Sequence, residues 1–203
     1  MIKFANGQNL KKHKMNKLIF DKENHIYTLN GTKLFSVTQS LVQSGLIDTR
    51  WFTDEGRDRG KAVHEAIYLD LHNDLYVDGL HEIIRPYLDA WFKFKTEMRF
   101  KPILELCELK QFHPIYMYAG TPDSVGLLNG RHVLIDWKTG DASTAHLQTA
   151  AYKEFPRIKP YNPDRLSLRL YKTGKYKLIK HDDQDDFYNF LSNLKIARGK
   201  LNG

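Results

Sequence analysis

The chain has 203 residues, of which 41% are hydrophobic and 27% charged, a composition that excludes a disordered chain and allows a sizeable core. A formal charge of +7 favours a polyanionic partner. No apolar run is long enough to cross a bilayer and the N-terminus lacks a secretory apolar segment, so we expect no membrane partner. The single cysteine, Cys107, excludes an intramolecular disulfide and a four-cysteine metal site, and it predicts a reducing, cytoplasmic location.

In chain order, the sequence predicts a basic leader over residues 1–17, then short strands, then helices, then strands crossed by one helix. Asn30-Gly31 marks an early hairpin, and Ser36 or Thr38 is expected to cap a short helix that ends at Gly45. The later predicted elements are helices over 53–75 and 80–98; strand-like segments over 103–112, 115–120, 123–130 and 132–138; a helix over 143–155; a hairpin over 165–181; and a helix over 183–197. This order predicts an α/β or α+β fold, a single domain over residues 1–203 with a central mixed sheet flanked by helices.

The segment 120–140 carries the most chemical information. Its Asn129-Gly130 dipeptide is typical of a two-residue type I′ turn, which would pair Leu128 with Arg131 and, further along, Asp123 with Asp136. A bulge or a longer loop would offset this register by one residue. Two carboxylates directly opposite each other repel unless a cation lies between them. Lys138 projects from the same face as Asp136, because side chains alternate along a strand.

This arrangement of two carboxylates and one ammonium group suits a metal-assisted reaction at a phosphate. Mg²⁺ prefers oxygen ligands, and a nearby lysine can orient a water or stabilise negative charge on the phosphate. Taken singly, each residue has a structural explanation, in which Asp123 caps a turn after Pro122 and Lys138 merely ends a strand. The three together, on one face of an apolar hairpin, favour a metal site.

Three further polar side chains lie on predicted helices. Gln148 and Tyr152 are four residues apart and therefore neighbours on one helix face, where they either line a site or border a packed surface. His64 lies in an apolar stripe, where a histidine is more often a hydrogen-bonded core residue than a ligand. Glu108 either reaches the metal or lies on the surface of a sheet.

Four motifs in order resemble the RecB-like branch of the PD-(D/E)xK nucleases. They are RGKAVHEAI (59–67), GTPDSVG (120–126), VLIDWKTG (133–140) and LQTAAY (147–152). The N-terminal HIYTLNGTKLFSVTQSL is also similar to the start of small phage-type exonucleases of this branch. The resemblance implies a restriction-endonuclease-like core with an N-terminal helical layer. It also implies a location in the host cytoplasm if the chain is encoded by a phage.

The resemblance also assigns roles to individual residues. It implies that Mg²⁺ or Mn²⁺ is bound by His64, Asp123, Asp136 and the backbone carbonyl of Trp137. It implies that Lys138 acts on the attacking water, and that Gln148 and Tyr152 position the phosphate. The chain has no phosphate-binding loop of the G-x-x-x-x-G-K-[ST] type, so we expect no ATP in cis, and a separate helicase or single-strand-binding partner stays open.

The predicted activity is hydrolysis of DNA from its ends, in recombination, repair or replication, with a preference for single-stranded ends. Trp51 and Phe52 are candidates for stacking on exposed bases, although core packing is the ordinary role of such aromatics. Two alternatives remain: an endonuclease of the same superfamily, such as a resolvase or restriction enzyme, and a DNA-binding protein without catalytic activity.

Overall fold

Two mixed β-sheets of five strands each form the centre of the fold, and five α-helices flank them. The computed structural model describes residues 17–200. The strands, in chain order, are β1 (Leu18–Asp21), β2 (Ile26–Leu29), β3 (Thr32–Ser36), β4 (Lys101–Pro102), β5 (Gln111–Phe112), β6 (Tyr118–Gly120), β7 (Ser124–Leu128), β8 (Arg131–Lys138), β9 (Asp164–Leu170) and β10 (Tyr176–His181). The predicted α+β class is confirmed, with the difference that the strands divide into two sheets instead of one.

The strand order of each sheet shows how distant parts of the chain meet. The first sheet has the order β1-β2-β3-β6-β5, in which β3 and β6 are parallel and join residues 83 positions apart, Phe35 and Tyr118. The second sheet has the order β10-β9-β8-β7-β4, in which β8 and β9 are parallel and all other neighbours antiparallel. The helix that links β8 to β9 provides the crossover that a parallel pair requires.

The helices are α1 (Val37–Ser44), α2 (Asp54–Leu71), α3 (Arg85–Glu97), α4 (Ala145–Lys153) and α5 (Asp186–Gly199). Ser36, not Thr38, caps α1: its hydroxyl accepts from the Gln39 N–H at 3.1 Å, and the Gln39 side chain accepts from the Ser36 N–H at 3.2 Å. Gly45 ends α1 in the left-handed region, as predicted. None of the helices among residues 17–200 is long and apolar enough to span a membrane.

Two large apolar clusters pack on opposite faces of the second sheet. Ile135 and Trp137 of β8 point toward α2 and α3, whereas Leu134 points toward α1, α4 and α5. Trp137 is fully buried, and its ring centroid lies 5.7 Å from that of Trp91 on α3. Alternation along β8 therefore sends the even-numbered residues 134, 136 and 138 to the α4 side of the sheet.

The predicted strand over 103–112 is wrong. A short 3-10 turn, Leu104–Leu106, interrupts it, and Glu108 adopts a left-handed backbone with φ of 51°. Only β5 at its end, Gln111–Phe112, is extended and paired. Apolar residues of this segment pack into different clusters, Leu106 with residues of α4 and α5 and Cys107 with residues of α2 and α3, so a strand-like sequence pattern arises without an extended strand.

A buried ion pair holds α5 against the second sheet. Arg165 Nη1 lies 2.9 Å from Asp186 Oδ2, and the two side chains are only 8% and 4% exposed. Arg165 also donates hydrogen bonds to the carbonyls of His146 at 2.9 Å and Asp183 at 2.7 Å. The Arg165 guanidinium thus joins β9 to α4 and to the start of α5.

Replacing Asp186 with alanine should lower the free energy of unfolding by about 3–5 kcal/mol, because it leaves the Arg165 charge buried without a countercharge. Urea denaturation followed by circular dichroism measures this change. Asp182→Ala, an exposed aspartate near the same helix start, serves as the control and should change stability by less than about 0.5 kcal/mol. Equal stabilities of the two variants would contradict the assigned role of the pair.

Candidate active site

The β7–β8 hairpin positions the acidic residues of the candidate site. Asn129 and Gly130 have φ of 50° and 79°, as a type I′ turn requires, and Leu128 pairs with Arg131. The register predicted from the sequence is confirmed as far as Ser124 and Ile135. The ladder ends there, and the Asp123 carboxylate, just before β7, accepts a hydrogen bond of 2.5 Å from the Trp137 N–H.

Asp136 and Lys138 form a close ion pair on the α4 side of β8. Asp136 Oδ2 lies 2.7 Å from Lys138 Nζ, and the side chains are 4% and 21% exposed. Burial raises the pKa of Asp136 to about 6, and repulsion from Asp123 adds to the effect, while Lys138 opposes it. Burial acts to lower the pKa of Lys138, but the Asp136 and Asp123 charges outweigh it and the pKa is raised. Lys138 is therefore held protonated beside a carboxylate.

Helix α2 brings His64 to the same end of β8. Its Nε2 lies 3.0 Å from the Trp137 carbonyl oxygen, and its Nδ1 lies 3.4 Å from Asp123 Oδ1. Burial of the imidazole acts to lower the pKa of His64, but the Asp123 carboxylate outweighs it and the pKa is raised. The same pair acts on Asp123, where burial acts to raise the pKa and the His64 charge lowers it below its ordinary value. His64 is thus no mere core residue: both ring nitrogens face the site.

Glu108 is the candidate for which the sequence left two roles open, a metal contact or a place on the surface of a sheet. Its N–H is shared between the carbonyls of Pro122 at 3.0 Å and Asp123 at 3.2 Å, which ties it to the segment that precedes β7. Burial raises the pKa of Glu108 to about 7, and the Asp123 charge contributes. One donor atom each from His64, Glu108 and Asp123 lie within 4.8 Å of one another, a spacing that could hold a metal ion. The signal available in the sequence was one glutamate among Leu106, Cys107 and Leu109.

Gln148 and Tyr152 reach the site from α4, whereas His64 reaches it from α2, and both α4 side chains are buried. Gln148 Nε2 donates to Thr38 Oγ1 at 3.2 Å, and Tyr152 also bonds to Thr38. Burial raises the pKa of Tyr152 well above its ordinary value, and Asp136 and Asp123 add to the shift. A Cβ at Gly120 would lie 2.7 Å from a Tyr152 ring carbon, so only glycine admits the ring there.

The structure thus brings together seven groups that were assigned roles from the sequence, and with them Glu108, for which the sequence left two roles open. The named groups are the side chains of His64, Asp123, Asp136, Lys138, Gln148 and Tyr152, and the Trp137 carbonyl. That they bind a metal or take part in catalysis stays a prediction. The donors are carboxylate and carbonyl oxygens with one imidazole nitrogen, a set that fits Mg²⁺ or Mn²⁺, and a cation would relieve the repulsion between Glu108 and Asp123.

Of the two aromatic candidates for base stacking, Trp51 and Phe52, the structure describes only the side chain of Phe52. Phe52 is 47% exposed, while the Trp51 side chain lies outside the described part of the chain. The basic leader, residues 1–17, also lies outside it except for its last residue, Lys17.

Comparisons with known proteins add little to this geometry. No family model matches the chain, and no curated protein matches it. Among solved structures, LHK-Exo in complex with dAMP is similar to 83% of this chain over 88% of its own length, at 14% identity and a TM-score of 0.37. At that TM-score residues of the two chains cannot be equated, so every functional assignment below depends on the contacts of the chain itself.

Proposed function

We propose that this chain is a metal-dependent deoxyribonuclease of the PD-(D/E)xK type. The observation that carries the proposal is the convergence, at one end of β8, of the His64–Glu108–Asp123 donor group with the Asp136–Lys138 pair. Three carboxylates in a largely buried place repel one another and are stable together only with compensating positive charge. A divalent cation supplies that charge and is also what phosphodiester hydrolysis needs.

The metal ligands in this proposal are His64, Asp123, Asp136 and the Trp137 carbonyl, with Glu108 as a further carboxylate. When bound, Mg²⁺ or Mn²⁺ would polarise a phosphodiester oxygen and lower the pKa of a bound water. His64 donates through one ring nitrogen when neutral and leaves the other as a lone pair for a metal. Asp123 is fixed by the Trp137 N–H, so its carboxylate needs little rearrangement to bind.

Lys138 is the residue assigned to the reacting phosphate. Its ammonium group is held by Asp136 yet remains 21% exposed, so it can still hold the attacking water and stabilise charge on the phosphate. Gln148 and Tyr152 are assigned to positioning. Gln148 Oε1 has no hydrogen-bond partner among residues 17–200, and the Gln148 amide and the Tyr152 hydroxyl both meet at Thr38. This packing favours two side chains that stay fixed in position beside the phosphate.

DNA is the substrate favoured by the net charge of +7 together with this site. Action at a free single-stranded end is the finer part of the proposal. Helices α2 and α3 lie over one face of the second sheet, and α2 reaches the site at His64, so a strand that threads in from an end meets less obstruction than a duplex. Roles in recombination, repair or replication, and a helicase or single-strand-binding partner, belong to the same proposal.

An endonuclease of the same superfamily and a DNA-binding protein without activity are the competing functions. An endonuclease would differ from the proposed exonuclease in how DNA enters the site, and not in the side chains that act at the phosphorus atom. The non-catalytic alternative is disfavoured by the Asp136–Lys138 contact of 2.7 Å beside the donor group, since DNA binding alone has no need of buried carboxylates.

Mg²⁺ or Mn²⁺ should stabilise the protein through Asp123. At about one hundred times the dissociation constant, a metal that binds only the folded state adds roughly 2.7 kcal/mol to the free energy of unfolding. Thermal melting with increasing metal measures this gain. Asp123→Asn should abolish the gain, whereas Asp141→Asn, an exposed aspartate just beyond β8, should retain it. A metal-dependent shift that survives in Asp123→Asn would argue against this ligand set.

Removing the Lys138 ammonium should lower kcat on single-stranded DNA by about 10²–10³ while the metal-dependent stabilisation persists, because the charge acts mainly as the transition state forms. Single-turnover cleavage of an end-labelled oligonucleotide by Lys138→Ala measures the effect. Lys33→Ala, at an exposed lysine of β3, is the matched control and should cleave like the unchanged protein. Normal cleavage by Lys138→Ala at saturating DNA would make this lysine a phosphate anchor only.

A linear single strand should be degraded much faster than the same strand closed into a circle. The reason is the threading model, in which the strand enters the site from a free end. Both substrates are compared at equal concentration and low salt, with Mg²⁺ and with EDTA as the blank. Equal rates on circle and line would replace the exonuclease assignment with the endonuclease, and no metal-dependent degradation of either would reject the nuclease.

A further inference from the structure

A row of basic side chains crosses the second sheet from the candidate active site to its edge. Lys138 on β8 pairs with Arg169 on β9, and Arg169 pairs with Lys177 on β10. Directly paired residues point to the same face, and neighbouring strands lie about 4.8 Å apart. The three side chains therefore follow one line, roughly 10 Å long at the backbone.

The opposite face of the β9–β10 hairpin fixes which way this row points. The residues that alternate with the basic ones pack into the apolar cluster against α3; they are Leu168, Leu170, Tyr176 and Leu178. Arg169 and Lys177 must therefore project from the other face, Arg169 half-buried and Lys177 exposed. The row lies on the same side of the sheet as Asp136 and Lys138.

The charges of Arg169 and Lys177 are largely uncompensated, whereas Lys138 is paired with Asp136. Among the ion pairs of residues 17–200, none involves Arg169 or Lys177. The Arg169 guanidinium lies 5.2 Å from the centroid of the Tyr171 ring, a contact that orients the cation without neutralising it. The pKa of Asp141 is lowered mainly by the Ser143 hydroxyl, and Arg169 contributes, so one exposed carboxylate lies in its field.

Like charges on paired strands destabilise a sheet, so the row has an electrostatic cost that an anion would relieve. Protection of the sheet edge against aggregation explains a lysine on β10, which is the edge strand. It does not explain Arg169, which is half-buried on the interior strand β9 and held by an aromatic ring. The positions of all three charges are explained together by a linear polyanion that begins at the reacting phosphate.

We propose that Arg169 and Lys177 bind successive backbone phosphates of single-stranded DNA on one side of the scissile bond. This proposal rests on the proposed nuclease function and adds the path of the strand, from Lys138 across β9 to the edge strand β10. The partner is the sugar–phosphate backbone, since a line of positive charges roughly 10 Å long complements the regularly spaced charges of successive phosphates.

Arg169→Gln, Lys177→Gln and the double variant test the path. Binding of a fluorescently labelled 16-nucleotide single strand is followed by anisotropy in EDTA over a range of salt concentrations. The double variant should bind at least about fivefold more weakly at low salt, and its salt dependence should fall by about 0.7 per lost phosphate contact. Lys180→Gln is the matched control, because this exposed lysine lies on β10 but pairs with the core residue Leu166.

Cleavage kinetics separate this proposal from the nuclease itself. The double variant should raise KM for the 16-mer while leaving kcat and the turnover of a dinucleotide unchanged. Arg169→Lys keeps the charge and should retain most of the affinity for the 16-mer. If Arg169→Gln fails to fold, Lys177→Gln at an exposed position must by itself reduce the salt dependence of binding.

If the unchanged protein binds and cleaves DNA while the double variant behaves like Lys180→Gln, the path is wrong and the nuclease stands. If the unchanged protein neither binds nor cleaves DNA, both proposals fail.

Discussion

The pairing register of β7 with β8 is the constraint on which the rest of the structure depends. The type I′ turn at Asn129-Gly130 fixes it, and a slip by one residue would send every side chain of β8 to the opposite face. Ile135 and Trp137 would then leave the cluster against α3, and Asp136 would enter it. Core packing and the placement of Asp136 and Lys138 are therefore enforced by the same hydrogen bonds.

Charge balance is the second requirement, and it links elements far apart in sequence. The carboxylates of Asp123, Asp136 and Glu108 outnumber the cations Lys138 and His64. Burial raises the pKa values of Asp136 and Glu108, and repulsion from Asp123 adds to both shifts. Buried carboxylates of this kind lower the stability of the folded state unless a cation binds. The left-handed backbone at Glu108, with φ of 51°, is a further local cost at the same place. Stability is thus lower where the proposed chemistry takes place.

How far the sequence predicts the site differs from residue to residue. The convergence of Asp123, Asp136 and Lys138 follows from one turn and the alternation of a strand, both local rules. His64, Gln148 and Tyr152 lie on helices whose apolar periodicity is equally consistent with plain core packing, so only the resemblance to a nuclease family singles them out. Glu108 follows neither helix nor strand periodicity, because its own left-handed backbone turns its side chain toward Asp123. The division into two sheets depends on the β3–β6 pairing, which no local pattern encodes.

That long-range pairing has a consequence for folding during synthesis. The edge of β3 that pairs with β6 stays unpaired until a segment 83 residues further along the chain has been synthesised. At 5–20 residues per second, synthesis of those residues takes roughly 4–17 s. Closing so long a loop is entropically expensive and slow. Throughout that interval the β1–β2–β3 meander presents an open strand edge, the kind of surface that pairs with other chains. The nascent protein is therefore exposed to misassembly during an interval that ends before Asp123 and Asp136 have been translated.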